Sequence, residues 1–409
     1  MKARVAAAWA AFLAAHVLIA WLGWVLPTQP MGDVVLVYQP WSSAALSGGP
    51  IVGITESWVY PQPALLPMLL TQLIAWPLNG VVGTTGAYLI GWAVLVTAVD
   101  AVGFGLLVGR TGTAARRSAG WFWTTALVLL GPIAMYRIDA ITVPLAVIGG
   151  CWLVKRPAVA AAILTFAAWI KIWPGALVAA AVVAAKARMR MLLAILTVIA
   201  GIIVVLFVLG ADRHLFGFVF EQTGRGLQIE AVAATPFLWL ATAGAASIDY
   251  SHEILTFQIG APGVEIVAAL LTPLMALAVA AVVSYGAVKA ARGASFPRLF
   301  PPLALTIVTV LIVTNKVGSP QFQTWLIAPI ILWILFDRTH SGLPAGLTLA
   351  ISALTFLVYP LTYAGLLAAE TVPILLLTLR NALVIVLLIV AVRALFRVPS
   401  TRGSSPQRN

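Results

Sequence analysis

Five cations that interrupt apolar stretches of the chain are the residues best suited to chemistry. They are Arg137, Lys171, Arg213, Arg225 and Lys316. A positive charge inside or beside an apolar segment is costly unless it faces a cavity or an anion. Lys171 is the clearest case, because it lies in the middle of the apolar run 158–185. These residues therefore predict a cavity that receives an anionic group.

The composition indicates which elements must hold these cations. Hydrophobic residues make up 62% of the 409 residues and charged residues 9%, and the mean hydropathy is +1.05. No soluble domain of this length could stay in solution with such values. Apolar runs long enough to cross a bilayer recur along the chain, and runs such as 383–392 lack the alternation of β-strands. We predict an all-α, polytopic integral membrane protein.

The lysines and arginines predict the orientation, because positive residues in short loops stay in the cytoplasm. With both termini cytoplasmic, the basic turns share one face. They contain Arg110, Arg116, Arg117, Lys155, Arg156, Lys186, Arg188, Arg190, Lys289, Arg292, Arg298, Arg338, Arg393, Arg397, Arg402 and Arg408. The net charge of +12 then reflects topology and contact with anionic membrane lipids, and no nucleic-acid partner is expected.

About twelve membrane spans satisfy this arrangement. They are 5–26, 84–108, 119–136, 139–154, 157–170, 172–185, 191–210, 263–288, 299–314, 321–336, 342–363 and 371–395. The apolar segments 63–78 and 231–246 are expected to be interfacial or re-entrant helices, because counting either as a crossing would move later basic loops outside. We expect one transmembrane domain over 1–398 and a short polar cytoplasmic tail over 399–409.

On this topology the acidic residues concentrate outside the membrane or at its outer edge. They are Asp33, Glu56, Asp139, Asp212, Glu221, Glu230, Asp249, Glu253, Glu265 and Glu370. The first outer loop, 27–62, is long and also carries Tyr38, Trp41, Trp58 and Tyr60, as functional loops do. Asp100 in the second span needs a partner, for which Arg380 is a candidate. His16 in the first span is expected to be a packed core residue.

The apolar run around Lys171 is too short for two full crossings between its flanking basic turns. Pro174 interrupts it just after the lysine. Non-helical backbone at membrane depth is tolerated where it lines a polar site, so we expect two short helices that meet at a cavity containing the Lys171 ammonium group. The alternative is a lysine that extends to the outer interface.

Five short motifs carry a resemblance to a known family. They are Gly32-Asp33 with Tyr38, Tyr60-Pro61-Gln62-Pro63, Lys171-Ile-Trp-Pro174, Arg225-Gly-Leu-Gln-Ile-Glu230 and Ser319-Pro-Gln-Phe-Gln-Thr-Trp325. With them the chain resembles the GT-C superfamily of glycosyltransferases. More narrowly, it is similar to the actinobacterial phosphatidylinositol-mannoside mannosyltransferases, which use polyprenyl-phosphate-mannose. It departs from the family pattern in its spaced prolines after Tyr60 and in Phe322, where a tyrosine is common.

The resemblance implies a GT-C-like fold, with interfacial helices in the first outer loop, and a set of site residues. Asp33 would be the catalytic base, although it could instead only cap a helix that begins near Val34. Arg137, Lys171, Arg225 and Lys316 would bind the donor phosphate; Arg137 could instead pair with Asp139, and Arg225 with Glu221. Sugar or acceptor contacts are expected from Tyr60, Glu56, Gln228, Glu230, Gln321 and His252.

No cofactor or metal is expected, since the chain has neither a nucleotide-binding loop nor a zinc motif. The sugar must then arrive already activated on a lipid. The implied reaction is inverting transfer of mannose from polyprenyl-phosphate-mannose to a lipid-linked glycan at the extracytoplasmic face of the plasma membrane. The alternatives are an arabinofuranosyltransferase that uses polyprenyl-phosphate-arabinose and a lipid or sugar transporter such as a flippase.

Overall fold

The computed structural model describes residues 2–109, 112–221, 224–251 and 256–400, and most of them are helical. The first helices are α1 (Lys2–Val25), α2 (Gln39–Leu46), α3 (Leu65–Ala75), α4 (Asn79–Val108), α5 (Ala114–Leu130), α6 (Asp139–Trp152), α7 (Pro157–Ile170), α8 (Gly175–Ala184) and α9 (Arg188–Val208). Those that follow are α10 (Gly217–Phe220), α11 (Thr235–Thr242), α12 (Val264–Ala291), α13 (Phe296–Val313), α14 (Ile327–Phe336), α15 (Gly342–Phe356), α16 (Tyr363–Leu367) and α17 (Thr371–Phe396).

Each predicted membrane span overlaps one of these helices, although the bounds differ: for 321–336 the α-helix begins only at Ile327, and for 119–136 it ends at Leu130. Among the described residues, seven helices are long and apolar enough to cross a membrane. They lie at Ala3–Val25, Gln62–Val108, Arg188–Val208, Val264–Ala291, Phe296–Val313, Gly342–Leu361 and Thr371–Phe396. Several others, such as α7 and α8, are apolar but shorter. This is the architecture of an all-α membrane protein, as predicted.

The two apolar segments expected to stop short of a crossing both form short helices. Segment 63–78 contains α3, which folds back against α4 so that the Tyr88 hydroxyl donates a hydrogen bond to the Met68 carbonyl at 3.2 Å. Gly83 interrupts α4 near its start with a φ of 74°, a value that favours glycine. Segment 231–246 contains α11, which is only 8 residues long.

A small β-hairpin is an exception to the all-helical prediction. Strand β1 (Ser247–Ser251) pairs antiparallel with β2 (Thr256–Gly260), and Asp249 lies opposite Gln258. Both strands alternate polar and apolar residues, which is the two-residue period of a half-buried strand. Gln258 also bridges to Gln228, so the hairpin supports the segment that carries Arg225.

The helices differ in how much of their surface the protein covers. In the most apolar part of α13, 72% of residues are buried, compared with 11% for α9 and for α12. The outer faces of α9 and α12 expose large apolar side chains, including Leu196, Val204, Leu270 and Leu277. Apolar surface of this extent is stable in lipid rather than in water, so these two helices form part of the lipid-facing surface.

The predicted pairing of Asp100 with Arg380 is wrong. Asp100 accepts a hydrogen bond from His16 Nε2 at 2.9 Å, whereas Arg380 forms an ion pair with Glu230. Helix α4, which carries Asp100, packs on α1, α3, α5 and α6, while α17 packs on α11, α13 and α15. The two charges therefore lie on helices that do not face each other. His16 is 2% exposed, as expected for a core residue, and it is also the partner that Asp100 requires.

Candidate active site

A cavity of about 880 Å³ gathers the charged residues that interrupt the apolar chain. Its wall contains four carboxylates and four cations among the described residues. They are Asp33, Glu56, Glu221, Glu230, Arg137, Lys171, Arg225 and Lys316. The structure also places Tyr60, Gln228 and Gln321 in this wall. Arg213 does not line the cavity and contacts His214 on the exposed surface, and His252 lies outside the described residues.

Asp33 lies on the turn between α1 and a short π-helical segment at Val34–Tyr38. Although the segment begins at Val34, the Asp33 side chain makes no capping hydrogen bond. Its Oδ2 instead lies 3.3 Å from Arg137 Nε, and 36% of the side chain is exposed to the cavity side. Asp33 thus presents a carboxylate that an incoming hydroxyl group can reach.

Arg137 holds this carboxylate from a buried position. Its Nη1 donates hydrogen bonds to the carbonyls of Pro30 and Tyr136, both at 2.9 Å, and Nη2 donates to the Tyr359 hydroxyl at 3.2 Å. Burial lowers the pKa of Arg137, but the charge of Asp33 together with Tyr359 and Tyr38 outweighs burial, and the pKa is raised. Arg137 therefore stays protonated and orients Asp33, and it does not pair with Asp139.

Lys171 lies in the break between two short helices, as the sequence predicted. Helix α7 ends at Ile170 and α8 begins at Gly175, and the backbone at Lys171 is extended, with φ −151° and ψ 131°. Its ammonium nitrogen lies 4.3 Å from the centre of the Tyr60 ring. A cation over an aromatic face is stabilised by the ring. The Lys171 charge also interacts with the buried Asp139 carboxylate, and the Lys171 side chain lines the cavity.

Arg225 and Lys316 also line the cavity. The segments that carry them are joined by a backbone hydrogen bond from Gln228 N to Lys316 O at 3.0 Å. Burial lowers the pKa of Arg225, and burial together with the charge of Arg225 lowers the pKa of Lys316. Two cations with lowered pKa values at one wall repel each other, and an anion between them would relieve that repulsion.

Four buried polar atoms in residues that line the cavity have no hydrogen-bond partner among the described residues. They are Trp58 Nε1, Arg225 Nε, Gln228 Nε2 and Gln321 Oε1. Gln228 and Gln321 are 3% and 7% exposed. Because a buried polar atom without a partner costs free energy, these atoms identify positions at which a ligand would find three donors and one acceptor.

Glu230 and Glu56 differ from Asp33 in what they can do. Glu230 is buried and forms an ion pair with Arg380, whose Nη2 also donates to the Glu230 carbonyl at 2.9 Å. Burial raises the pKa of Glu230 and the Arg380 charge opposes the shift. Glu56 is exposed at the cavity wall. Asp33 is therefore the carboxylate that combines access with a fixed orientation.

Aromatic side chains form much of the remaining wall. Trp173 and Trp325 are stacked with ring centres 6.1 Å apart, and Phe322 stacks on Trp325 at 4.1 Å. The Trp325 indole also donates a hydrogen bond to Asp139 Oδ1 at 2.6 Å. Flat, rigid faces of this kind suit the apolar side of a sugar ring or a lipid chain.

Sequence reasoning missed Tyr359 and Tyr363, which also line the cavity. Helix α15 ends at Phe356, and Tyr359 adopts extended dihedral angles, with φ −130° and ψ 121°. The signal was the proline at 360, since a residue before proline is disfavoured in a helix. The predicted span 342–363 passed over that signal because the segment is mostly apolar and carries no charge.

No tight cluster of metal-binding residues accompanies these groups. Within the ranges that the structure describes, no group of three or more His, Cys, Asp or Glu side chains could hold a metal ion. The positive charge that can face an anion in the cavity comes from its own lysines and arginines.

Comparison with known proteins does not assign the chain to a family. No protein-family model matches it, and the search of curated proteins found no match. The residues that line the cavity are therefore the basis for a functional proposal.

Proposed function

We propose that the protein is a membrane glycosyltransferase with a GT-C-like architecture. It transfers mannose, with inversion, from polyprenyl-phosphate-mannose to a lipid-linked glycan. The observation that carries the proposal is the arrangement of Asp33, an accessible carboxylate that Arg137 orients, and the cations Lys171, Arg225 and Lys316 around one cavity. A carboxylate can accept the proton of an attacking hydroxyl group, and fixed cations can stabilise a departing phosphate.

The transfer step uses these groups in a single displacement. The acceptor hydroxyl oxygen attacks the anomeric carbon from the face opposite the phosphate, and Asp33 takes the hydroxyl proton. The bond from the anomeric carbon to the phosphate oxygen breaks, and its electron pair stays on that oxygen. Lys171, Arg225 and Lys316 then stabilise the added negative charge on the polyprenyl phosphate.

The roles of two residues in this mechanism follow from their contacts. Arg137 is a positioning residue for Asp33, because its donors already bind the protein. Glu230 anchors the Arg225 segment through Arg380. Gln228 and Gln321 remain as sugar contacts, since each has a buried polar atom without a protein partner, and Tyr60 and Glu56 border the same space.

We further propose twelve crossings, with both termini in the cytoplasm and the cavity at the outer face of the plasma membrane. Helix α1 leads from Arg4 to the turn that carries Asp33, and α5 leads from Arg117 toward Arg137. Both helices thus connect a basic end to the charged cavity. Positive loops stay on the cytoplasmic side, so this connection supports an outer position for the cavity.

The decisive test is transfer of radiolabel from polyprenyl-phosphate-mannose into membrane glycolipids by purified protein. Asp33→Asn should keep the protein folded and lower turnover by about 10²- to 10⁴-fold, the usual contribution of a general base. Asp212→Asn is the matched control, because Asp212 is exposed and is not part of the cavity wall. Near-normal transfer by Asp33→Asn would exclude the assigned base.

The same assay separates the proposal from its alternatives. Polyprenyl-phosphate-arabinose is supplied in parallel, and label from that donor alone would reassign the sugar. Absence of transfer from both donors would favour a transporter. Activity should persist in EDTA, because the proposed phosphate ligands are cationic side chains; loss in EDTA that Mg²⁺ or Mn²⁺ restores would contradict that part of the mechanism.

A further inference from the structure

A second cavity lies at the opposite end of α1 from the candidate active site. It has a volume of about 540 Å³ and combines three arginines with one large aromatic residue. Its wall is formed by Arg4, Ala7, Ala114, Arg117, Ser118, Trp121 and Arg338. The three arginines come from three separate parts of the chain, the starts of α1 and α5 and the turn after α14. We name this set the basic pocket.

The helix that leads from the basic pocket toward the candidate active site, α1, is about as long as the hydrocarbon layer of a membrane is thick. Arg4 and Val25 are separated by roughly 30 Å along α1 at 1.5 Å per residue, and that is about the thickness of the hydrocarbon layer. Asp33 follows the far end of the same helix. Trp121 is 46% exposed, and exposed tryptophans are typical of the boundary between lipid and water. The pocket is thus at the level of the lipid headgroups, on the side of the membrane opposite the candidate active site.

The charges of the basic pocket are not balanced from within. No carboxylate is part of its wall, and no ion pair in the described part of the chain includes Arg4, Arg117 or Arg338. Asp337 is next to Arg338 in sequence, but its two oxygens are occupied by Arg298 at 3.2 Å and His340 at 2.9 Å.

Donors remain for a ligand even where the protein uses some of them. Arg117 Nη1 donates to the Gly112 carbonyl, which fixes the guanidinium group; its other nitrogens make no further hydrogen bond to the described part of the chain. Arg4 and Arg338 are exposed. Guanidinium groups bind phosphate oxygens through paired, charge-assisted hydrogen bonds, and a pocket with three of them suits a phosphate group.

We propose that the basic pocket binds the phosphate group of an anionic phospholipid. The lipid chains would lie along the apolar surface beside Trp121, and the phosphate would lie among the three guanidinium groups. The shared chemistry of the ligand is a phosphate anion, and the position of the pocket at the membrane boundary favours a lipid as its source. This site is separate from the proposed transfer reaction and does not depend on it.

The test measures lipid binding to the purified full-length protein in a neutral detergent by native mass spectrometry. Dioleoylphosphatidylglycerol is compared with dioleoylphosphatidylcholine, which has the same chains but no net charge. The Arg4→Gln/Arg338→Gln double variant should bind the anionic lipid about 30-fold more weakly. Each arginine near the membrane surface contributes about 1 kcal/mol to the binding of an anionic lipid, and the loss of two such contributions corresponds to about 30-fold in affinity. Both residues are exposed, so the variant should fold, which its thermal unfolding checks.

The matched control is Arg188→Gln/Arg190→Gln, which removes two exposed arginines from the start of α9. This control should bind the anionic lipid like the wild type. Equal weakening in both double variants, or none in either, would overturn the proposal. A second experiment adds inorganic phosphate to the protein–lipid mixture. Displacement of the lipid by phosphate at a concentration similar to that of the lipid would assign the pocket to a free phosphate anion. Lack of displacement would assign it to the lipid.

Discussion

Arg137 lies in the cavity wall, yet each of its three guanidinium nitrogens already contacts the protein. Nε faces Asp33, Nη1 binds two carbonyls and Nη2 binds Tyr359. A side chain with this many bonds is rigid, and rigidity is what a general base requires from its neighbour. The proposed mechanism therefore needs Arg137 for geometry, and it relies on the other three cations for the phosphate.

Lys316 makes donor binding in the proposed mechanism depend on pH. Burial and Arg225 lower the pKa of its ammonium group below the ordinary value of 10.5, and only the protonated form attracts a phosphate. We expect affinity for polyprenyl-phosphate-mannose to fall as the pH rises, beginning below the range in which an ordinary lysine loses its proton. Binding measured across a pH series should show this decline.

The Lys316→Arg variant is the control, since an arginine stays protonated and should extend binding to higher pH. Lys316→Gln should weaken binding by about 10- to 100-fold at pH values at which Lys316 is protonated, and its difference from the wild type should shrink as the pH rises. If Lys316→Arg loses affinity at the same pH as the wild type, a different group causes the decline.

At the residue scale the sequence was informative because charges are rare in this chain. Ten of the predicted site residues line one cavity. Each of the cations among them is costly at its position unless it faces a polar cavity or an anion. Which donors are already occupied could not be read in advance. The contacts of Arg137 and Glu230 depend on Tyr359 and Arg380, which lie in segments distant in sequence.

Two loops bring the second group of cations together at the element scale. The loop after α13 carries Lys316 and Gly318, and the loop before α11 carries Arg225 and Glu230. Gly318 packs so closely on the other loop that a Cβ atom there would overlap the backbone of Glu230 and Ala231. The absence of a side chain at this position is what allows the loops to approach.

The Gly318→Ala variant should therefore move Lys316 away from Arg225. Because the overlap is with backbone atoms, the loop itself must shift, and a displacement of about 1 Å can lower turnover by about 10²-fold. The measurement is mannose transfer at saturating acceptor. Gly201→Ala in α9 is the control, since no atom lies within 4 Å of its new Cβ; wild-type transfer by Gly318→Ala would contradict the packing argument.

The His16–Asp100 pair links α1 to α4 inside the apolar core. In Asp100→Ala, His16 Nε2 loses its partner, and we expect a loss of about 1–3 kcal/mol of stability. Replacing both residues with leucine should recover much of that loss, because an apolar pair needs no hydrogen bond. Unfolding midpoints in detergent test this expectation, which fails if the double variant is less stable than Asp100→Ala.

The helices were predicted more accurately than the contacts between them. Each predicted span became a helix because a long apolar run has few other stable forms in a membrane. The hairpin at 247–260 was missed because its two strands are short and follow an apolar helix. The partner of Asp100 was also wrong, because helix adjacency is a tertiary property that hydropathy does not record.

The two cavities of the molecule differ in charge: one is basic, and the other carries charges of both signs. Arg4, Arg117 and Arg338 surround the basic pocket, whereas the active-site cavity mixes carboxylates with cations. This asymmetry predicts the orientation in the membrane. The single native cysteine, Cys151, allows a direct test once it is replaced.

In a Cys151→Ala background, Ser47→Cys should react with a membrane-impermeant maleimide on intact cells. Ser295→Cys should react only after the cells are opened. Both serines are exposed; Ser47 follows α2 in the first loop, and Ser295 precedes α13 beside the basic residues 292 and 298. Labelling of Ser295→Cys on intact cells, with protection of Ser47→Cys, would reverse the proposed orientation.

The backbone bonds around Gln228 have a consequence for the thermodynamics of binding. Gln228 N bonds to Lys316 O at 3.0 Å, Ile229 N to Phe257 O at 3.3 Å and Ile259 N to Leu227 O at 3.0 Å. The Arg225 segment is thus held between a loop and a hairpin before any donor arrives. The loss of chain entropy that fixes this wall occurs during folding. In the proposed reaction, the donor would meet a preorganised surface, and more of its interaction energy would remain for affinity and catalysis.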